Sequence, residues 1–204
     1  MRSIRVAAPG DGLAVARLMS YVANDEVRPD SPMIRAIEKR GGVVPVRYGQ
    51  VACLVAEVEG EVVGMVHTAP PVDWLATFPK NRARALAQRI LQIELLAVDP
   101  EHRGQGVGQA LLESAENRLL DQRGHLVYAK VRAGDYPVMR WYRRRGYTIA
   151  AQGQSVLINT TQGLTGIEDC GDGYQLAAKA VQPGTKIERF QDQGSEHLIA
   201  ARSA

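Results

Sequence analysis

Aromatic residues make up only 5% of this chain, so its core has to be assembled from Val, Leu, Ile and Ala, a palette that suits a mixed α/β protein better than an aromatic-rich β-barrel. Cysteine is also scarce. The two thiols, Cys53 and Cys170, stand far apart, and the N-terminus lacks the basic-then-apolar run of a secretory signal. Together these argue against a disulfide framework and predict a reduced, cytoplasmic setting. Cys53, inside the apolar run VACLVAEV, reads as a buried structural thiol rather than a nucleophile. No apolar stretch approaches the length needed to cross a bilayer, so no membrane partner is expected. Long Lys/Arg blocks and aromatic platforms are missing too, and a formal charge of +3 is too mild to predict a nucleic-acid partner. The densest basic cluster, RWYRRRGY (140–147), has two readings, a solvated helix face or an attractor for an anionic ligand such as a nucleotide phosphate.

What remains is ample for one main domain: 204 residues, 45% of them hydrophobic. SIRVAA predicts a first strand. PGDGLAVARLMSYVAN follows as a helix with Asp11 at its N-cap, and DSPMIRAIEKRGG as a second, with Ser31 as cap, Pro32 at the first position and Gly41 at the stop. VACLVAEVEGEVVGMVHTA is two β-branched runs joined around Glu59, Gly60 and Glu61, the pattern of a hairpin. An insertion at about residues 69–90 carries Trp74 and Phe78 in a loop and then a short helix with Asn81 as its cap. LQIELLAV, stopped by Asp99 and Pro100, is a strand; GQALLESAENRLLDQRG is a helix with Leu111, Leu112, Ala115 and Leu119 on one face; HLVYAKV is a strand again. A strand, a helix and a strand in this order need a crossover, so the two strands are expected to be parallel neighbours. DYPVMRWYRRRGY then predicts a short helix capped by Asp135 and stopped at Gly146, and YTIAA, QSVLINT and GYQLAAKAV are strand candidates. Residues 182–204 lack a sustained pattern and read as a C-terminal tail, in which HLIAA could dock on a second copy to make a homodimer.

The stretch PEHRGQGVGQALL crowds three glycines into the entrance of a helix. A helix start exposes unpaired N–H groups at the positive end of the dipole, and glycines let an anion approach them. Neither GxxxxGK[ST] nor a GxGxxG after a first strand is present, which excludes two familiar phosphate loops. In its frame of strand end, arginine, R-x-x-G-x-G and leucine-rich helix, the segment from Arg103 through Gly104, Gln105, Gly106 and Val107 to Gly108 resembles the pyrophosphate loop of the GNAT superfamily of acyl-CoA-dependent N-acetyltransferases. VRAGDYPVMRWYRRRGY is similar to that family's second signature, and the resemblance covers about the first 150 residues.

The resemblance implies an α/β fold with a mixed, splayed β-sheet flanked by helices, in a single domain over residues 1–181. It implies acetyl-CoA as acyl donor, with no metal, its pyrophosphate on the N–H groups of Gly104 to Gln109 beside Arg103 and its pantetheine arm along Leu96, Ala97 and Val98. The Val98 N–H would polarise the thioester carbonyl. Tyr142 stands where the family commonly carries its general acid, and Asp135 where an asparagine often touches the pantetheine arm; helix capping is the equal alternative for Asp135. Many members place a glutamate where this chain has Gln92, which cannot accept a proton. The base is therefore assigned to Glu94, acting through water among apolar neighbours, with His67 as the alternative because imidazoles titrate near neutrality.

Residues 24–48 and the PPVDWLATFPK loop would frame the acceptor. No acidic pocket announces a polycationic one, so a small molecule with a primary amine is expected: an amino acid, a metabolite or an antibiotic. The rivals are a protein or peptide acetyltransferase, a non-catalytic acyl-CoA-binding regulatory module, and an enzyme acting on charged transfer RNA.

Overall fold

Strands and helices succeed one another much as the pattern predicts. The computed structural model describes residues 2–22, 30–160, 163–168, 171, 173–192 and 194–202; Cys170 and residues 24–29 of the expected acceptor segment lie outside these. In chain order come β1 (Arg2–Val6), α1 (Gly12–Ser20), α2 (Pro32–Arg40), β2 (Val43–Val46), β3 (Gly49–Val58), β4 (Glu61–Ala69), α3 (Val72–Ala76), α4 (Lys80–Ala87) and β5 (Ile90–Val98). They are followed by α5 (Val107–Asp121), β6 (Leu126–Arg132), α6 (Tyr136–Arg143), β7 (Thr148–Ile149), β8 (Val156–Thr160), β9 (Gly163–Ile167), β10 (Tyr174–Ala180), β11 (Thr185–Asp192) and β12 (Ser195–Arg202). No helix among the described residues is long and apolar enough to cross a membrane. The chain forms two compact units, Met1–Leu75 with Ile93–Arg118 and Ala76–Gln92 with Leu119–Ala204.

In the first unit, β3 and β4 make the expected antiparallel hairpin. Glu59 and Gly60 both take left-handed φ values of 53° and 88°, as a two-residue turn between twisted strands requires. β1 and β2 pair antiparallel with β3, and the later part of β5 lies beside β4. Val15 and Leu18 of α1 and Ile34 and Ile37 of α2 pack with Val55, Met65 and Ala97 into one core. Cys53 belongs to it, and burial pushes its thiol up to about 12, which makes it inert as a nucleophile.

Asp11 marks the start of α1 but does not cap it with its side chain. Its carboxylate accepts from Arg5 at 2.6 and 3.0 Å and from the Ala8 N–H at 2.7 Å, and the Arg5 hydrogen bond holds it below the usual carboxylate range. Glu38 of α2 reaches the entrance of α1 instead, accepting from the N–H of Gly10, just before the helix, at 2.9 Å and from that of Gly12, its first residue, at 2.7 Å. Ser31 and Pro32 do begin α2. Gly42 then threads between two backbones: its N–H donates to Ala7 O at 2.6 Å, its O accepts from the Cys53 N–H at 2.7 Å, and an added Cβ would lie 2.5 Å from Cys53 O and 2.9 Å from Ala7 N. Gly42→Ala is expected to destabilise the protein by about 3 kcal/mol, read as a lowered midpoint in urea, because rigid backbone cannot step aside.

In the second unit the early part of β5 adjoins β6, which pairs antiparallel with β10, and β10 with β7. Arg89 O accepts from the N–H groups of His125 and Leu126, at 2.8 and 3.0 Å, so β5 and β6 start side by side and run in the same direction, as a crossover demands. The sheet strands are thus mixed in direction and flanked by helices, the fold class expected. Helix α4 starts two residues earlier than read, at Lys80, with Pro79 rather than Asn81 at its cap. The largest departure is at the C-terminus. Residues 185–202, expected as part of a tail, form the antiparallel hairpin β11–β12, and β12 pairs parallel with β8, which pairs with β9, in a second, four-stranded sheet. Leu198 of HLIAA, 3% exposed, is buried within its own chain.

Candidate active site

The first unit carries the loop, the strand end and both candidates for the base. Asp99 ends β5 with its N–H on Val63 O at 2.9 Å, and its carboxylate accepts from Arg17 at 2.8 Å and from the Glu101 N–H at 3.1 Å. The chain turns through Pro100–His102, and Arg103 reaches back so that its Nε donates to Val98 O at 3.1 Å. Arg2 donates to Gln105 O, and Gln105 to Glu101 O. The loop is thereby held from several sides. Gly104 and Gly106 have φ values of 77° and 79°, which only glycine adopts freely, and a Cβ on Gly104 would meet nothing within 4 Å. In α5 the first backbone donor with a partner is the Ala110 N–H, to Gly106 O at 3.1 Å. The N–H groups of Gly104 to Gln109 have no partner among the described residues.

Gly64 sets the approach of α5. A Cβ there would meet Leu111 and Val107 at 3.0 Å and Ala97 O at 3.2 Å. A glycine inside a β-branched strand signals such a close approach, so this support was readable in VVGMV. The Arg17–Asp99 clamp was not, since nothing local links residues so far apart in the chain.

Glu94 and His67 come together. His67 Nδ1 lies 2.8 Å from Glu94 Oε2, with the carboxylate side chain 38% exposed and the imidazole 9%. The oxygen lies off the N–H direction, and neither ring nitrogen completes a hydrogen bond among the described residues.

The second unit carries the remaining candidates. Gln92 accepts from the Tyr128 hydroxyl at 2.8 Å, a structural role that explains a neutral amide at that point of the strand. Tyr142 is buried on α6 with its ring edge-on to Trp141 and to Tyr147, each at 5.0 Å, and burial raises its phenol above the ordinary range. Its hydroxyl has no hydrogen-bond partner among the described residues. Asp135 caps α6, accepting from the Val138 N–H at 3.2 Å. Within the basic cluster, Arg145 stacks 3.8 Å over Trp141 and donates to its carbonyl, whereas Arg140, Arg143 and Arg144 are exposed. Phe78 of the insertion lies under the Arg82 guanidinium at 5.0 Å, and Arg82 also bonds Thr165. Trp74 is half-buried on α3 of the first unit.

Comparison with known proteins agrees with this geometry. The model of the acetyltransferase (GNAT) family matches residues 18–147. An N-acetyltransferase of Archaeoglobus fulgidus, itself uncharacterized, is 32% identical over 89 residues, which are 44% of this chain and 54% of the relative, so the chain spans about half the length of that protein. Among solved structures, yncA of Salmonella typhimurium with its cofactor acetyl-CoA superposes with a TM-score of 0.59 at 18% identity, covering 89% of this chain and 95% of the other. The ribosomal-protein-S18-alanine N-acetyltransferase of Escherichia coli does so with a TM-score of 0.55 at 16% identity, over 96% of this chain and 99% of its own. At such identities the likeness is one of fold.

Proposed function

The chain belongs to the acetyltransferase (GNAT) family, and from that premise we propose that it moves an acetyl group from acetyl-CoA directly to the primary amine of a small molecule such as an amino acid, a metabolite or an antibiotic. The observation that carries this reading is the run of unpartnered N–H groups from Gly104 to Gln109 at the positive end of α5. A diphosphate would suit that place: its donors are unpaired among the described residues, a Cβ on Gly104 would meet nothing within 4 Å, and a helix N-terminus favours negative charge. Arg103 and the loop N–H groups would hold the pyrophosphate, and the backbone of Leu96, Ala97 and Val98 the pantetheine arm. Asp135 serves as a helix cap.

Bound acetyl-CoA supplies the activated acyl carbon, and the proton traffic falls to the chain. Glu94 takes a proton from the acceptor's ammonium through water, so that the free amine attacks the acyl carbon, and the proton that the nitrogen sheds on becoming an amide restores the Tyr142 phenol. The Val98 N–H donates to the carbonyl oxygen as it gains charge. Tyr142 gives its phenolic proton to the departing sulfur as the C–S bond breaks, and the raised proton affinity of a buried phenol keeps it loaded for that step at neutral pH.

Thiol release from acetyl-CoA by the purified protein tests this against small amines and amino acids, amine antibiotics, and peptides with free N-termini or lysines. Turnover with either of the first two pools is expected. Turnover with peptides alone would move the acceptor to proteins, and a thermal shift with acetyl-CoA but no turnover would leave an acyl-CoA-binding module. Absence of both would overturn the assignment.

A further inference from the structure

His67 and Glu94 are two rival candidates in the sequence and one pair in the fold. They sit on adjacent strands, β4 and β5, with Nδ1 and Oε2 2.8 Å apart. Their exposures differ: the carboxylate, at 38%, reaches solvent, while the imidazole, at 9%, lies behind it. Both ring nitrogens are buried without a completed hydrogen bond among the described residues. Leaving a buried polar atom unpaired costs about 1–3 kcal/mol, a cost that Leu or Phe at the same strand position would avoid. The buried imidazole therefore calls for an explanation, and the carboxylate at contact distance supplies one.

Resting on the acetyl-transfer reading above, we propose that His67 is the positioning residue of the base: its Nδ1–H donates to Glu94 Oε2 and so aims Oε1 at the water that relays the proton. A glutamate on a strand surface has three side-chain torsions to sample, and anchoring one oxygen fixes the direction of the other. Misplacing a reacting group by about 1 Å can cost 10²-fold in rate. The present misalignment is of the kind that closes when substrate arrives, since catalytic hydrogen bonds in free sites are often poorly aligned and tighten in the complex. Gln92, held by Tyr128, cannot take over as base.

Three variants of the full chain test the assignment. His67→Leu removes the donor and keeps an apolar filler; it is expected to lower kcat about 30-fold, a partial loss of orientation, with acetyl-CoA affinity unchanged. His67→Asn, whose amide nitrogen stands close to the place of Nδ1, should recover most of that loss. The double variant His67→Leu with Glu94→Gln should be no slower than Glu94→Gln alone, because residues acting as a unit are not additive. Nitrogen chemical shifts of the His67 ring give a reading independent of turnover: Nδ1 protonated and Nε2 bare near neutral pH, with the preference lost in Glu94→Gln. Unchanged kcat in His67→Leu, multiplicative losses in the double variant, or a ring protonated at Nε2 would each overturn the proposal. Absence of turnover with every acceptor would sink acetyl transfer, while the ring measurement would still decide whether the pair is joined.

Discussion

Tyr142→Phe is expected to lower kcat by about 10²–10³-fold while leaving the Kd of acetyl-CoA and the folding stability near neutral pH essentially unchanged. The ring keeps its edge-on contacts with Trp141 and Tyr147, and removing the hydroxyl orphans no partner among the described residues, so what is lost is a proton source. Burial favours the neutral phenol, which raises its pKa in the folded chain. The sign follows: Tyr142 stays protonated to higher pH than a free phenol, and the alkaline limb that it imposes on kcat lies above about pH 10. Folding feels the same shift in the same window. Stability is undiminished below about pH 10 and falls above it, where the unfolded chain ionises first, and the Phe variant escapes that fall. Steady-state kinetics across pH, with denaturation at pH 9 and 11 (roughly one unit either side of the free phenol), measure both. A Phe variant with full kcat would remove Tyr142 from the mechanism.

Gly106→Val should weaken acetyl-CoA binding by about 100-fold or more, a loss of roughly 2.7 kcal/mol, by calorimetric titration. Two effects add. A β-branched residue is strained at φ 79°, so the loop must rearrange and carry its N–H groups off the anion's position. The new side chain also occupies the approach to those donors, its Cβ already within 3.3 Å of the Arg2 guanidinium. Gly104→Ala is the milder control: its φ of 77° is also strained for alanine, but its Cβ would meet nothing within 4 Å, and about a tenfold loss is expected. Equal affinity in wild type and Gly106→Val would place the cofactor elsewhere and with it sink the proposed reaction.

Features whose causes are local were legible in the residues. Glu59–Gly60 dictates a tight turn because both positions need positive φ, Pro32 and Ser31 begin a helix because one lacks an N–H and the other accepts one, and glycines before Leu111 and Leu112 open a helix start. Asp11 misled because its carboxylate is taken by Arg5 and the Ala8 N–H, while Glu38 from another helix accepts from Gly10 and Gly12 at the entrance of α1.

The C-terminal residues make the same point from the other side. TKIERFQD and SEHLIAAR alternate too weakly to announce strands, and they become strands by pairing with each other and with β8, a partner whose ladder is invisible until the chain has folded. Glu94 and His67 were each picked out in the sequence by residue type and setting, and their alliance was not, since side chains on neighbouring strands meet through register rather than spacing. Helix entrances, turns and the glycine loop before α5 were written into the linear chain because backbone conformation and unpaired N–H groups answer to immediate neighbours. The Glu38 contacts at the entrance of α1, the second sheet and the pairing of His67 with Glu94 came only with the folded chain, because each depends on a distant group arriving at contact distance.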